Sequence, residues 1–168
     1  MATLNPSPTF WRPAALPLFT GVLALLGAAD GVFNLVKPES GAATFGLVPP
    51  RRESPTPSQF DAFHHALVKV KGARNLHMSS CILALLLYGQ VSDVCRTSPA
   101  AAVAVRRCVG IVLTLGAGVG FSGAAVVAEY LRSPDASAEA VDVGTAKFKA
   151  HLITNVPIIA LGLIYLYY

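Results

Sequence analysis

"KVKGARNLHMSSCILALLLYGQ", residues 69–90, passes without a break from three cations, an asparagine and a histidine into a run apolar enough for a bilayer. The second half of the stretch asks for hydrocarbon around it, and the first half asks for partners. A charge kept at membrane depth costs at least about 2.5 kcal/mol, so Arg74 is expected to pair with a carboxylate or a ligand oxygen, with Asp30 as first choice. The whole chain reads the same way. Of its 168 residues 54% are hydrophobic and 13% charged, against a charged share of about 25% in ordinary soluble domains. Mean hydropathy is +0.56. The net charge of +4 comes from residues between the apolar runs, so it speaks to membrane orientation and lipid headgroups. No basic run is interleaved with aromatics, and nucleic acid is not an expected partner.

Hydropathy predicts four spans, at about residues 14–36, 70–91, 105–131 and 150–168, each near the roughly 20 residues that the hydrocarbon layer requires. The expected fold is an all-α, integral membrane, up-down four-helix bundle forming one domain over residues 1–168. The first span follows "NPSPTFWRP" (5–13) with a single Arg12 and no small-residue cleavage site after it, so it is expected to be retained. Between the first two spans, Pro, Ser and Gly are expected to prevent regular structure up to about residue 58, with helix resuming at Gln59. "SDVCRTSPAA" (92–101) and "RSPDASAEAVDVG" (132–144) read as short polar connections, which make neighbouring helices antiparallel. The cationic connections on the Lys37, Arg132 and Lys147 side favour a cytosolic placement of that face.

Each span carries a polar or small stripe at helical spacing: Gly27, Asp30, Gly31 and Asn34; His64, Lys71 and Asn75 with Arg74 at the edge; Thr114, Gly118, Ser122 and Glu129; and Lys147, His151, Thr154 and Asn155. The Gly27/Gly31 and Gly116/Gly120 pairs read as close helix packing. Cys81, Cys95 and Cys108 are odd in number, have no C-x-x-C spacing and read as structural thiols. In an up-down arrangement Asp30, Lys71, Arg74, Asn75, Glu129 and His151 all fall at one membrane face, where they would form a polar chamber opposite an almost purely apolar half. Interfacial salt bridging is the bland alternative. Read as chemistry, Asp30 or Glu129 is the general base, Arg74 and His151 donate to an oxygen that gains charge, and Asn34, Lys71, Asn75 and Asn155 hold or orient the substrate. No cofactor or metal is implied, since there is no dinucleotide fingerprint and no convincing ligand set.

"FGLVPP" (45–50), "VKGARNLHMSS" (70–80), Glu129 and "KFKAHLITNVPIIALGL" (147–163) resemble an uncharacterised family of small four-helix fungal and bacterial membrane proteins, over most of the chain beyond about residue 21. Members often have Arg-Asp where this chain has Arg74-Asn75, a departure that weakens any carboxylate role there. Similar small membrane proteins occur in fungal polyketide gene clusters, including the type proposed to open epoxides on polyenes of the aurovertin and citreoviridin kind. The resemblance implies a cofactor-independent epoxide hydrolase or cyclase of fungal secondary metabolism, in the endoplasmic reticulum membrane, acting on a lipophilic polyketide. The competing expectations are an isomerase or cyclase of another lipophilic substrate, and a non-enzymatic scaffold. Expected partners are the lipophilic substrate, membrane lipids and either pathway enzymes or a second copy.

Overall fold

The computed structural model describes residues 15–47, 59–132 and 138–167, and every regular element among them is helical: α1 (Ala15–Val36), α2 (Pro38–Phe45), α3 (Gln59–Val91), α4 (Asp93–Thr97), α5 (Pro99–Tyr130) and α6 (Ala138–Tyr167). The N-terminal "NPSPTFWRP" and the Pro-rich residues 48–58 lie outside the described residues.

Three helices are long and apolar enough to cross a membrane: α1, α5 and α6 from Ala140 onward. Many of the large side chains that these helices leave exposed are hydrocarbon, among them Leu18 (71% exposed), Leu115 (64%) and Ile153 (72%). A soluble protein buries such patches. A membrane protein turns them to lipid. The fourth long helix, α3, is not in this set, because Lys69, Lys71, Arg74, Asn75 and His77 occupy its first half and leave only its second half apolar.

Several helix boundaries differ from the sequence expectation. Residues 38–45 form α2 where Ser and Gly suggested irregular chain. Pro38 sits in the first turn, where its missing N–H and fixed φ are no handicap, and Glu39 suits the positive end of the helix. Gly46, at φ 97°, ends α2 in the left-handed conformation that glycine adopts without strain, with the N–H groups of Gly46 and Leu47 closing on Ala43 O and Ala42 O. The connection at residues 92–101 contains α4 and also the start of α5, which begins six residues before the expected span at 105. Ser98 caps that start by accepting from Ala101 N at 3.3 Å, and Pro99 occupies the first turn. The last connection is likewise shorter than expected, since α6 is already helical at Ala138.

Helix pairs are set by glycine. Along α1 and α3, Gly31 lies opposite Gly72 and Gly21 lies near Leu86, so these two helices run antiparallel. A Cβ on Gly31 would stand 2.9 Å from Gly72 O, and one on Gly72 would stand 2.8 Å from Gly31 O. Backbones approach here as side chains would forbid. Likewise α5 and α6 cross antiparallel at Gly110 and Gly162. The α3 helix also packs on α5, joining the two pairs.

The apolar core gathers at one end, from Ala24, Ile82, Leu86, Val109, Leu113, Leu161 and Tyr165. Its polar exception is a pair that hydropathy does not reveal. The Tyr165 hydroxyl lies 3.0 Å from Thr20 Oγ1, and both residues are fully buried. Thr20 Oγ1 donates to Leu16 O at 2.8 Å, so the Tyr165 hydroxyl donates to Thr20. Tyr165→Phe is therefore expected to lower stability by about 1 kcal/mol, the net worth of a hydrogen bond, and Thr20→Val by a similar amount. Thermal melts in detergent check this, with the double variant less than additive because both changes remove one bond.

Candidate functional site

The glycine crossing of α1 and α3 positions a polar network. Asp30 and Gly31 are neighbours on α1, and Lys71 and Gly72 are neighbours on α3, so the contact that brings the two backbones together also presses their polar side chains into one layer. Asn34, one turn after Asp30, is fully buried and donates from Nδ2 to Asp30 O at 2.6 Å. Its Oδ1 accepts from Lys71 Nζ at 3.1 Å. Lys71 Nζ also lies 3.6 Å from Asp30 Oδ2, which in turn accepts from Asn75 Nδ2 at 2.8 Å. Asn75 Oδ1 receives Arg74 Nε at 3.2 Å and Nη2 at 2.9 Å.

The chain of contacts thus runs Asn34, Lys71, Asp30, Asn75, Arg74. Five of the eight candidate site residues are in it. The expected direct pairing of Arg74 with Asp30 is replaced by one through Asn75, and Lys71 is the cation that meets the carboxylate. The cause is local: Arg74 and Asn75 are adjacent on α3, and Asn75, one helical turn beyond Lys71, is the residue that shares its face toward α1.

Phe45 closes this layer from α2; the sequence shows it at the head of "FGLVPP" but gives it no place among the candidate site residues. Lys71 Nζ stands 4.9 Å from the centre of its ring, within the range of a cation–π contact. The His151 ring packs against the same ring, with centroids 4.7 Å apart and planes tilted by 51°. His151 Nε2 lies 3.3 Å from Phe45 O, so it carries the proton of that bond. His151 therefore reaches the network by way of Phe45 rather than by touching Asp30. The Gly46 turn is what aims Phe45 inward, and Gly46 itself packs against Lys147 and Gly144 of α6.

Two candidates stand apart. Glu129 is exposed in the last turn of α5, and its side chain has no hydrogen bond or ion pair among the described residues. Asn155 is buried against Gly120 of α5 and donates from Nδ2 to His151 O at 2.7 Å. That places it in the α5–α6 packing seam. Of the thiols, Cys95 is buried while Cys81 and Cys108 are exposed, all free.

Beside the polar layer, α2, α3 and α5 enclose an open groove of about 650 Å³. Lys71 and Arg74 are its charged lining residues, and Phe45, Leu67, Val119 and Val126 are among its apolar walls. Cations facing an apolar groove at the edge of a hydrogen-bonded carboxylate can hold an oxyanion and pass a proton.

The model of the family described as a domain of unknown function, DUF4267, matches residues 24–165. The chain belongs to this family. The matched segment holds the full polar layer, Phe45, the groove and His151, so the site is built within the family's domain rather than by an appendage to it. No curated protein and no solved structure matches the chain.

Proposed function

We propose that the chain is a membrane-embedded acid–base enzyme that opens an epoxide on a lipophilic substrate. In this reading α3 is a fourth span, its polar half sheltered against α1 and α2, and α1, α3, α5 and α6 form an up-down bundle with the polar layer near one membrane face. The observation that carries it is the junction of the Asp30–Lys71–Asn75 network with an apolar groove that Lys71 and Arg74 line. A carboxylate in contact with an ammonium supplies base and acid to one reacting centre.

The step balances without an outside reagent. As a water oxygen bonds to the epoxide carbon, its proton passes to the Asp30 carboxylate. The carbon–oxygen bond breaks toward the oxygen, which takes a proton from the Lys71 ammonium. Asp30 then returns its proton to Lys71 across their 3.6 Å separation, and both regain their starting states. The Lys71 ammonium also stabilises the negative charge as it develops on that oxygen, and Asn75 holds Asp30 in place. Where a substrate hydroxyl takes the place of water, the same groups give a cyclic ether. The resemblance of the sequence motifs points to polyketide polyenes of fungal secondary metabolism and to the endoplasmic reticulum as the setting.

The test is turnover of a polyene epoxide by purified protein in ¹⁸O-labelled water. One labelled oxygen in a vicinal diol supports hydrolysis, and an unlabelled cyclic ether supports the internal route. Unchanged epoxide with folded protein would favour the scaffold reading, in which the polar layer serves packing only.

A further inference from the structure

We propose that the groove between α2, α3 and α5 takes a single-chain amphiphile by its carboxylate, with Arg74 as the principal partner of the anion. The charge balance is the first observation. Lys71 and Arg74 both line the groove, and no carboxylate among the described residues does. Asp30 lies behind them and offsets one cation, through Lys71. Elsewhere, Glu39 faces His65 at 3.3 Å, and Glu129 is exposed at the end of α5. One positive charge, that of the exposed Arg74, is left beside an apolar wall; with α3 read as a fourth span it lies at membrane depth, where a guanidinium is retained with an oxyanion beside it.

The geometry of Arg74 agrees. Its Nε and Nη2 are turned to Asn75 Oδ1. That leaves the Nη1 edge with no acceptor among the described residues, and a guanidinium presents its donors in a planar fork suited to a carboxylate. The rest of the groove suits a hydrocarbon chain. Leu47, Leu67, Leu115 and Val119 line it, and Gly118 leaves its floor open, since a Cβ there would meet nothing within 4 Å. About 650 Å³ is room for one drug-sized molecule. A lipid phosphate is the competing anion, which the nanodisc measurement distinguishes, but the planar fork of Arg74 matches the planar carboxylate of a free acid. This names the substrate class of the proposed enzyme and rests on that reading of the groove, but its test reads binding alone.

The experiment is fluorescence titration of the full chain in neutral detergent with cis-parinaric acid, a polyene fatty acid, and with its methyl ester. The acid is expected to bind at least about tenfold more tightly than the ester, the worth of a hydrogen bond to a charged group. Arg74→Gln should bring the two to equal affinity, Arg74→Lys should restore part of the difference, and Gly118→Leu should weaken both by filling the floor. Equal binding of acid and ester to the unaltered chain would overturn the proposal, as would an Arg74→Gln variant that still prefers the acid. In nanodiscs, displacement of the probe by phosphatidylglycerol as readily as by oleic acid would overturn the choice of a free carboxylate. An epoxy fatty acid that binds in an Arg74-dependent way and is not turned over leaves this proposal standing and removes epoxide opening.

Discussion

Asp30→Asn is expected to lower turnover of a polyene epoxide by about 10² to 10⁴, the range that removal of a general acid or base costs, while the protein stays folded. The substitution keeps shape and keeps an oxygen for Asn75 Nδ2, now 2.8 Å from the carboxylate. It removes only the basicity and the charge. Lys71 retains Asn34 Oδ1 at 3.1 Å and the Phe45 ring, so the layer does not lose its cation. Asp30→Ala differs, because it strips both Lys71 and Asn75 of a partner and should cost stability as well as activity. Turnover in the Asn variant, measured at matched levels of inserted protein, separates the two effects. Glu129→Gln tells the carboxylates apart: loss there with retention in Asp30→Asn would assign the base to α5. Undiminished turnover in both would end the acid–base mechanism.

Much of this layer is legible in the chain because its residues repeat at helical spacing. Asp30 and Asn34 are four apart on α1, and so are Lys71 and Asn75 on α3, and that spacing alone puts each pair on one face. Which residue touches which is not legible. Arg74 and Lys71 are both cations within one turn, and only the register of Gly31 against Gly72 gives Asp30 to Lys71 and leaves Arg74 to Asn75. Glu129 shows the opposite failure. It falls on the stripe of Thr114, Gly118 and Ser122, but it lies seven residues, about 10 Å of helix rise, beyond Ser122, which carries it past the groove to the exposed last turn of α5. Phe45 carries a signal in the Gly46 that follows it, since a glycine after a short apolar run marks a helix end that redirects the chain.

The fold shows the same division. Hydropathy finds where hydrocarbon must surround a helix, and α1 is placed to within a residue of its expected start. It does not find where a helix begins, because α3 and α6 start in polar sequence before their apolar runs and α5 starts six residues before its expected span; the start of α3 at Gln59 is read instead from the end of the Pro- and Ser-rich stretch. The Thr20–Tyr165 bond also escapes it, since a tyrosine among leucines near a helix end resembles an interfacial anchor.

Gly72→Ala is expected to be among the most damaging single-methyl changes in the protein, costing about 3 kcal/mol or more, at the upper end of what overpacking produces. The added Cβ would meet Gly31 O at 2.8 Å, Asn34 Cβ at 2.9 Å and Leu35 N at 3.1 Å. Two of these are backbone atoms of α1, so no rotamer change relieves the contact and the helices must separate. Separation breaks more than packing. Lys71 Nζ is held to Asn34 Oδ1 at 3.1 Å and stands 3.6 Å from Asp30 Oδ2, distances that exist only while α1 and α3 touch. Turnover and stability should therefore fall together. Gly118→Ala is the matched comparison, because a Cβ there meets nothing within 4 Å and an exposed helical glycine gains about 0.5–1 kcal/mol on becoming alanine. Thermal melts of both variants in one detergent give the answer. A Gly72→Ala protein as stable as the unaltered chain would mean that α1 and α3 do not meet at their glycines, and the polar layer built on that crossing would fall with it.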